Sequence, residues 1–300
     1  MSSNRARRSV PPSYSQRLLN ELDGIAASYA EVIAGSTIRY VNPNNEGGGV
    51  YFVGASNYGW GPSDAAHEAA RMALLGTVRD WTTRFQLMFR HPVPTVQERL
   101  DDALGHLERW LIRDVHWDHS IPSDHERAQH VLGGVVKTLK DLMTLLPADD
   151  VAVRVLPDTN ILIDNPDLAA YTSVVGAAYV VHLLPVVLRE LDDLKRSGRT
   201  PELREAARRA DRRLKGIRDN GDVRTGATVS GQVRAVFEFK EPRPEGLPEW
   251  LDLSVPDDQL VAAALLLQSE HPGSALYIAT CDLNMQNKLA AVGLPCIEAT

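Results

Sequence analysis

Three runs of apolar residues constrain this chain more than any other feature. They are "VAVRVLP" at 151–157, "AYVVHLLP" at 178–185 and "ALYIAT" at 275–280. All three read as strands, and "AYVVHLLP" is continuous and apolar enough to be buried on both faces. Helical patterns separate them. "VVLRELDDLKR" follows the second strand, residues 201–218 form a helix with Pro201 in its first turn, and "DDQLVAAALLLQSE" precedes the third strand. "NMQNKLAAVG" follows as a helix ending at Gly293; "VRAVFEF" (233–239) and "PCIEA" supply further strands, and "EPRPEGLPE" a Pro-rich surface loop. Alternating strands and helices predict an α/β fold with a mainly parallel sheet over 151–300.

The first half has a different character. Leu18, Leu19, Leu22, Ile25, Ala26 and Tyr29 recur at spacings of three and four, which predicts a helix over 13–34. "STIRYVNPNNEGGGVYFVGAS" places two β-prone runs around an Asn/Pro/Gly-rich turn, a hairpin signal. Helices are expected over 64–90, 95–115 and 123–146, with Trp81, Phe85, Met88 and Phe89 as core. Ser63 or Asp64 is the expected cap of the first, and Thr95 with Glu98 and Ser123 with Glu126 read as capping boxes of the others. "LLPADD" at 145–150 marks a boundary. The expected organisation is a basic disordered tail over 1–12, a mostly helical region with a small hairpin over 13–150, and the α/β region over 151–300.

Composition excludes several classes. Hydrophobic residues make up 44% and charged residues 24%, ordinary values for a globular protein. No apolar run approaches the roughly 18 residues of a membrane span, and "MSSNRARRSVPPS" has no apolar core of a secretory signal. With only Cys281 and Cys296, a disulfide framework is not expected and a reducing cytoplasm is; Cys281 reads as a buried small residue. The formal charge of −7 argues against a surface uniformly basic for nucleic-acid binding.

The acids carry the functional signal. Asp158 and Asp282 each stand just past an apolar strand, and parallel α/β sheets bind ligands beyond those strand ends. Glu190 lies in the helix after the second strand, and Asp257 and Asp258 open the helix before "ALYIAT". Each alone has a structural explanation as a cap, a first-turn acid or a solvated helix residue. Together, carboxylates converging on one edge repel one another unless a cation neutralises them. Oxygen ligands of this kind select Mg²⁺ or Mn²⁺.

The words "LPDTNILID", "LPVVLRELDDLKR", "PDDQLVAAALLL" and "ATCDLNMQNKLAAVGLP" occur in that order across about 151–298. In these words the second half resembles a PIN domain, a metal-dependent nuclease family with a three-layer α/β fold. The resemblance implies that Asp158, Glu190, Asp258 and Asp282 are the catalytic, metal-binding acids, with Asp257 as a helper. It implies orienting or phosphate-contacting roles for Asn160, Thr280 and Asn284. The implied activity is Mg²⁺- or Mn²⁺-dependent hydrolysis of single-stranded RNA, leaving a 5′-phosphate, as a toxin, defence effector or RNA-processing enzyme. No His or Lys nucleophile is invoked. The alternatives are a non-catalytic RNA- or protein-binding module on the same fold, which has no use for an acidic cluster, and a DNA-directed single-strand or flap nuclease. The segment 219–256 is longer than in compact family members.

Residues 189–218 hold eleven Lys or Arg against six acids. Leu203, Ala207, Ala210, Leu214 and Ile217 form an apolar stripe, leaving Arg204, Arg208, Arg209, Arg212, Arg213 and Lys215 to track an RNA backbone. The competing reading is a solvated helix laced by pairs such as Glu205 with Arg209. In the first half, His116, His119, His125 and His130 cluster with Asp118 and Asp124, at spacings that match no zinc motif. The helical region is expected to select substrate, restrain the nuclease, bind a partner protein or self-associate.

Overall fold

The computed structural model describes residues 11–42, 57–114 and 119–298. Residues 1–10 of the expected tail, the hairpin turn and the run "VYFV" lie outside them, as do His116 and Asp118. The chain divides into two compact units, Arg17–Leu146 and Pro147–Thr300, the latter joined by the start of the chain up to Gln16.

The first unit is helical: α1 (Tyr14–Gly35), β1 (Ile38–Val41), β2 (Asn57–Trp60), α2 (Ala65–Leu87), α3 (Pro94–Ile112) and α4 (His125–Met143). The partner of β1 is Asn57–Trp60, in an antiparallel pair that sets Ile38 against Trp60. Trp81 and Phe85 are fully buried, and their rings stack at 4.5 Å. Of the two candidate caps of α2, Asp64 is the one used, accepting the His67 N–H at 2.8 Å. Neither expected capping box forms. Helix α3 starts at Pro94, whose fixed φ and missing N–H suit the first position, so Val93 is the cap and Thr95 is already helical. Helix α4 is capped by Asp124, which accepts the Arg127 N–H at 2.9 Å, while Ser123 donates its hydroxyl to that carboxylate. His125 contacts the Ser36 carbonyl at 2.7 Å.

The second unit runs β3 (Val153–Pro157), α5 (Thr159–Asp164), α6 (Thr172–Val175), β4 (Ala178–Leu183), α7 (Pro185–Ser197), α8 (Pro201–Arg218), β5 (Ala227–Ser230), β6 (Gln232–Phe237), α9 (Pro256–Glu270), β7 (Ala275–Ala279), α10 (Leu283–Ala291) and β8 (Cys296–Ile297). The six-stranded sheet has the order β5-β6-β4-β3-β7-β8 and is parallel except between β5 and β6. All of β3 is buried, so both faces of the sheet are covered. The sequence reading missed β5, a short polar edge strand joined to β6 through Gly231 at φ 56°, a left-handed conformation that favours glycine. It also missed α5, which is too short to show a helical period. Among the described residues no helix is long and apolar enough to cross a membrane.

Strand β3 is central. The chain adds β4 and then β6 on one side of it, returns through α9, and adds β7 and β8 on the other. The order therefore reverses between β3 and β7, the place where open α/β sheets form a ligand crevice beyond the strand ends.

A polar chain crosses the interior of this sheet. Arg154 is buried in β3, with Nη2 3.1 Å from Asp149 Oδ1, Nη1 2.9 Å from His182 Nε2 and Nε 3.0 Å from Ser274 Oγ. His182 Nδ1 lies 2.8 Å from Glu238 Oε1. Because a guanidinium can only donate, Nε2 of His182 accepts, and Nδ1 carries the proton toward Glu238. Burial lowers the His182 pKa, which agrees with a neutral ring.

Candidate active site

Asp158 directly follows β3 and caps α5. Its Oδ1 accepts the Ile161 N–H at 2.7 Å, which is why a strand of apolar residues ends on an acid. Asp158 is 5% exposed. Burial raises its pKa, the Thr280 hydroxyl and the N–H groups of Ile161 and Asn160 pull it down, and Asp282 pushes it up.

Asp282 repeats the device after β7. It caps α10, with Oδ1 accepting N–H groups of Asn284 at 2.7 Å and Met285 at 3.2 Å, and the Thr280 hydroxyl accepts its own N–H at 3.1 Å. Asp158 and Asp282 thus flank the point where the strand order reverses. Thr280, fully buried, bonds the Asp158 carboxylate and accepts the backbone N–H of Asp282. Asn160 is exposed, and Asn284 meets Asp282 through its backbone.

Glu190 comes from α7, which starts directly after β4. It is half-buried and accepts a short hydrogen bond from the Thr159 hydroxyl. Burial raises its pKa; Thr159 lowers it, and Asp257 and Asp158 each raise it further. Mutual repulsion thus links Asp158 to Asp282 and Glu190 to both Asp158 and Asp257. The first turns of α7 and α9 are tied by Arg189 Nη2, which donates to Gln259 Oε1 at 2.9 Å.

Asp258 differs from the other three principal acids. It is buried, its Oδ2 accepts the Asp252 N–H at 2.9 Å, and Lys288 Nζ lies 2.7 Å from its Oδ1. Asp257 Oδ2 is 3.6 Å from the same ammonium. Thr159 and Lys288 were missed as site residues, although both sit inside the four family-like words. Thr159 follows Asp158 immediately, whereas Lys288 is revealed only by a contact between two helices.

Among the described residues, no three His, Cys, Asp or Glu side chains are drawn together as a ready metal cage. The two strand-end acids point one oxygen each into a helix N-terminus, and Glu190 turns toward Thr159. The donor set nevertheless fits a hard divalent cation. It is all oxygen, partly buried, and among the described residues no Lys, Arg or His forms an ion pair with Asp158, Glu190 or Asp282. The oxygens not used for capping would hold the ion.

The basic helix α8 packs against α5 and α7. Its stripe is buried at Ala207, Ala210, Leu214 and Ile217, and Leu203 is partly covered. Arg204 turns inward to donate to the Gly198 carbonyl at 2.6 Å, and Arg209 donates to the Ile163 carbonyl at the end of α5 at 3.3 Å. Glu205 pairs with Arg212 at 2.8 Å and Arg208 at 3.6 Å rather than with Arg209. Arg213 pairs with Asp167, and Lys215 with Asp211. Cys281 and Cys296 are free and exposed, so the expectation of a buried Cys281 fails: the chain has already left the sheet at that residue.

Comparison with known proteins agrees with this topology. The curated proteins give no match to the chain. Residues 155–300 match the family model described as PIN domain, whose members are generally nucleases and generally use divalent metals. The match starts inside β3 and takes in Asp158, Glu190, Asp257, Asp258 and Asp282. The C-terminal half of this chain, residues 155–300, therefore belongs to the PIN domain family.

Proposed function

We propose that this protein is an endoribonuclease that hydrolyses phosphodiester bonds of single-stranded RNA at the acidic edge of its sheet, with Mg²⁺ or Mn²⁺. The observation that carries the reading is that Asp158 and Asp282, each a helix cap, stand beyond the neighbouring parallel strands β3 and β7, with Glu190 bonded to Thr159 beside Asp158 and, among the described residues, no ion pair to any of the three. A bound divalent ion polarises the scissile phosphate and lowers the pKa of an attacking water. Asp158 and Asp282 hold fixed positions because each is also a helix cap. Thr280 orients both, and Thr159 sets the direction of Glu190. The α9 first turn supplies the fourth acid.

Helix α8 supplies the countercharge for RNA. Arg208, Arg212, Arg213 and Lys215 are exposed and held in surface ion pairs, which contribute little stability and exchange readily for phosphate. Arg209, anchored on α5, brings this face alongside the helix that Asp158 caps.

The test is cleavage of a mixed RNA pool in Mn²⁺ by the wild type and by Asp282→Asn, beside labelled DNA oligomers. Cleavage of RNA by the wild type alone supports the reading. Equal activity in both proteins removes the enzyme assignment, and preferential cleavage of DNA moves the substrate class to DNA.

A further inference from the structure

The first turn of α9 carries two adjacent acids in unlike surroundings. Asp258 is buried and both its oxygens are engaged, Oδ2 by the Asp252 N–H and Oδ1 by Lys288 Nζ at 2.7 Å. The Lys288 contact is an ion pair, so opposite charge holds it. Asp257 is 46% exposed at its side chain and stands 3.6 Å from the ammonium. On the far side of the turn, Gln259 holds Arg189, the neighbour of Glu190.

We propose that Lys288 is a positioning residue: by neutralising the buried charge of Asp258 it keeps the first turn of α9 in place, so that Asp257, and not Asp258, is presented to the cation site. This inference rests on the reading of the acidic edge as a divalent-cation site. Its physical basis is the cost of an unpaired buried charge. A carboxylate as buried as Asp258 stays in place only while its partner remains. Lys288 lies on the same helix that Asp282 caps, so one rigid element carries a strand-end acid and also fixes the turn bearing Asp257. Asp258 Oδ2 holds the Asp252 N–H and Oδ1 faces the Lys288 ammonium, so it could join a metal only by leaving Lys288.

The experiment is calorimetric titration of the full chain with Mn²⁺ alone, with the thermal midpoint of each variant recorded beside it. Asp257→Asn is expected to weaken Mn²⁺ binding by about tenfold or more, and Lys288→Met by about 10–100-fold, the range of a supporting residue around a metal site. Asp258→Asn, which keeps an acceptor for Asp252 and removes the charge, stays within about threefold of wild type on the same scale. Lys288→Arg restores binding. In the Lys288→Met/Asp258→Asn double variant the unpaired charge is gone, so binding returns to about the Asp258→Asn value, a non-additivity that general destabilisation does not produce.

The proposal is overturned if Asp258→Asn loses Mn²⁺ while Asp257→Asn keeps it, or if Lys288→Met binds Mn²⁺ as well as or better than wild type. Should Lys288→Met not fold, the contrast between the two aspartates still decides which acid faces the ion. Asp158→Asn is the control: wild-type binding in that variant sinks the cation site itself, whatever the α9 variants show.

Discussion

Asp149 and Asp158 stand at opposite ends of β3, and the protein treats them in opposite ways. Asp149, with its side chain 8% exposed, receives Arg154 at 3.1 Å, His271 at 3.0 Å and the Gly273 N–H at 2.9 Å. The chain continues through His182 to Glu238, and each member has a partner within hydrogen-bonding distance. Asp158 is as well buried, yet it receives only neutral donors and faces further acids, Asp282 and Glu190. A fold able to neutralise one buried carboxylate with Arg154 gives the other, among the described residues, no ion-pair partner. The compensated cluster holds the sheet together, and under the proposed function the uncompensated one is where an ion and a phosphate would bind.

The widest separation between the two ends should appear in catalysis. Asp158→Asn keeps the cap on α5, because Asn caps helices as well as Asp, and is expected to lower RNA cleavage by at least about 10²–10³-fold, the scale of losing a group that stabilises reacting charge. Initial rates at saturating Mn²⁺ check this. Near-wild-type rates would mean that the two ends of β3 do not differ in function.

The opposite end should fail in stability. Arg154→Met strands Asp149 and removes the donor to His182, and is expected to cost about 3–5 kcal/mol of unfolding free energy. Urea unfolding measures it. A loss under about 1 kcal/mol, the surface-pair range, would show that the network is not a compensated core.

A smaller and inverted effect is expected at Asp158 without metal. Its carboxyl and that of Glu190 are held above the ordinary range, so the folded chain binds their protons more tightly than the unfolded chain. Their favourable contribution is present in acid and is lost as pH rises through the raised values. In EDTA near neutral pH, Asp158→Asn should therefore be more stable than wild type by about 0.5–2 kcal/mol, a common gain when a functional strain is relieved. The gain should vanish below the carboxylate range. Urea midpoints at acid and neutral pH decide it, and a variant less stable at both contradicts the repulsion.

The smallest effect belongs to α8. Replacing Arg208 and Arg212 by Gln should leave stability within about 0.5 kcal/mol and reduce the salt dependence of RNA binding by about 0.7 in logarithmic slope for each phosphate that the helix no longer neutralises. An unchanged slope takes this helix out of the RNA path.

The sequence shows the parts of this molecule that rest on local pattern. Runs such as "VAVRVL" and "ALYIA" read as strands, and an acid placed after each is an acid at the strand end. Polar β5 and six-residue α5 carry no such period and stay hidden. Competition at helix starts is equally local but finely balanced. Pro94 takes the first position from Thr95, and Asp124 rather than Ser123 caps α4, two residues of about equal capping strength. The difference between Asp257 and Asp258 could not be read at all. It depends on Lys288, a residue of another helix, and only the folded chain brings the two together.

The central claim is that Asp158 and the acids around it await a divalent cation. Thermal unfolding of the wild type and of Asp158→Asn, each in EDTA and in Mn²⁺, tests it most directly. At Mn²⁺ concentrations near 100 times the dissociation constant the wild type should gain about 2.7 kcal/mol, and Asp158→Asn should gain nothing. The same gain in both proteins, or none in the wild type, would contradict the account.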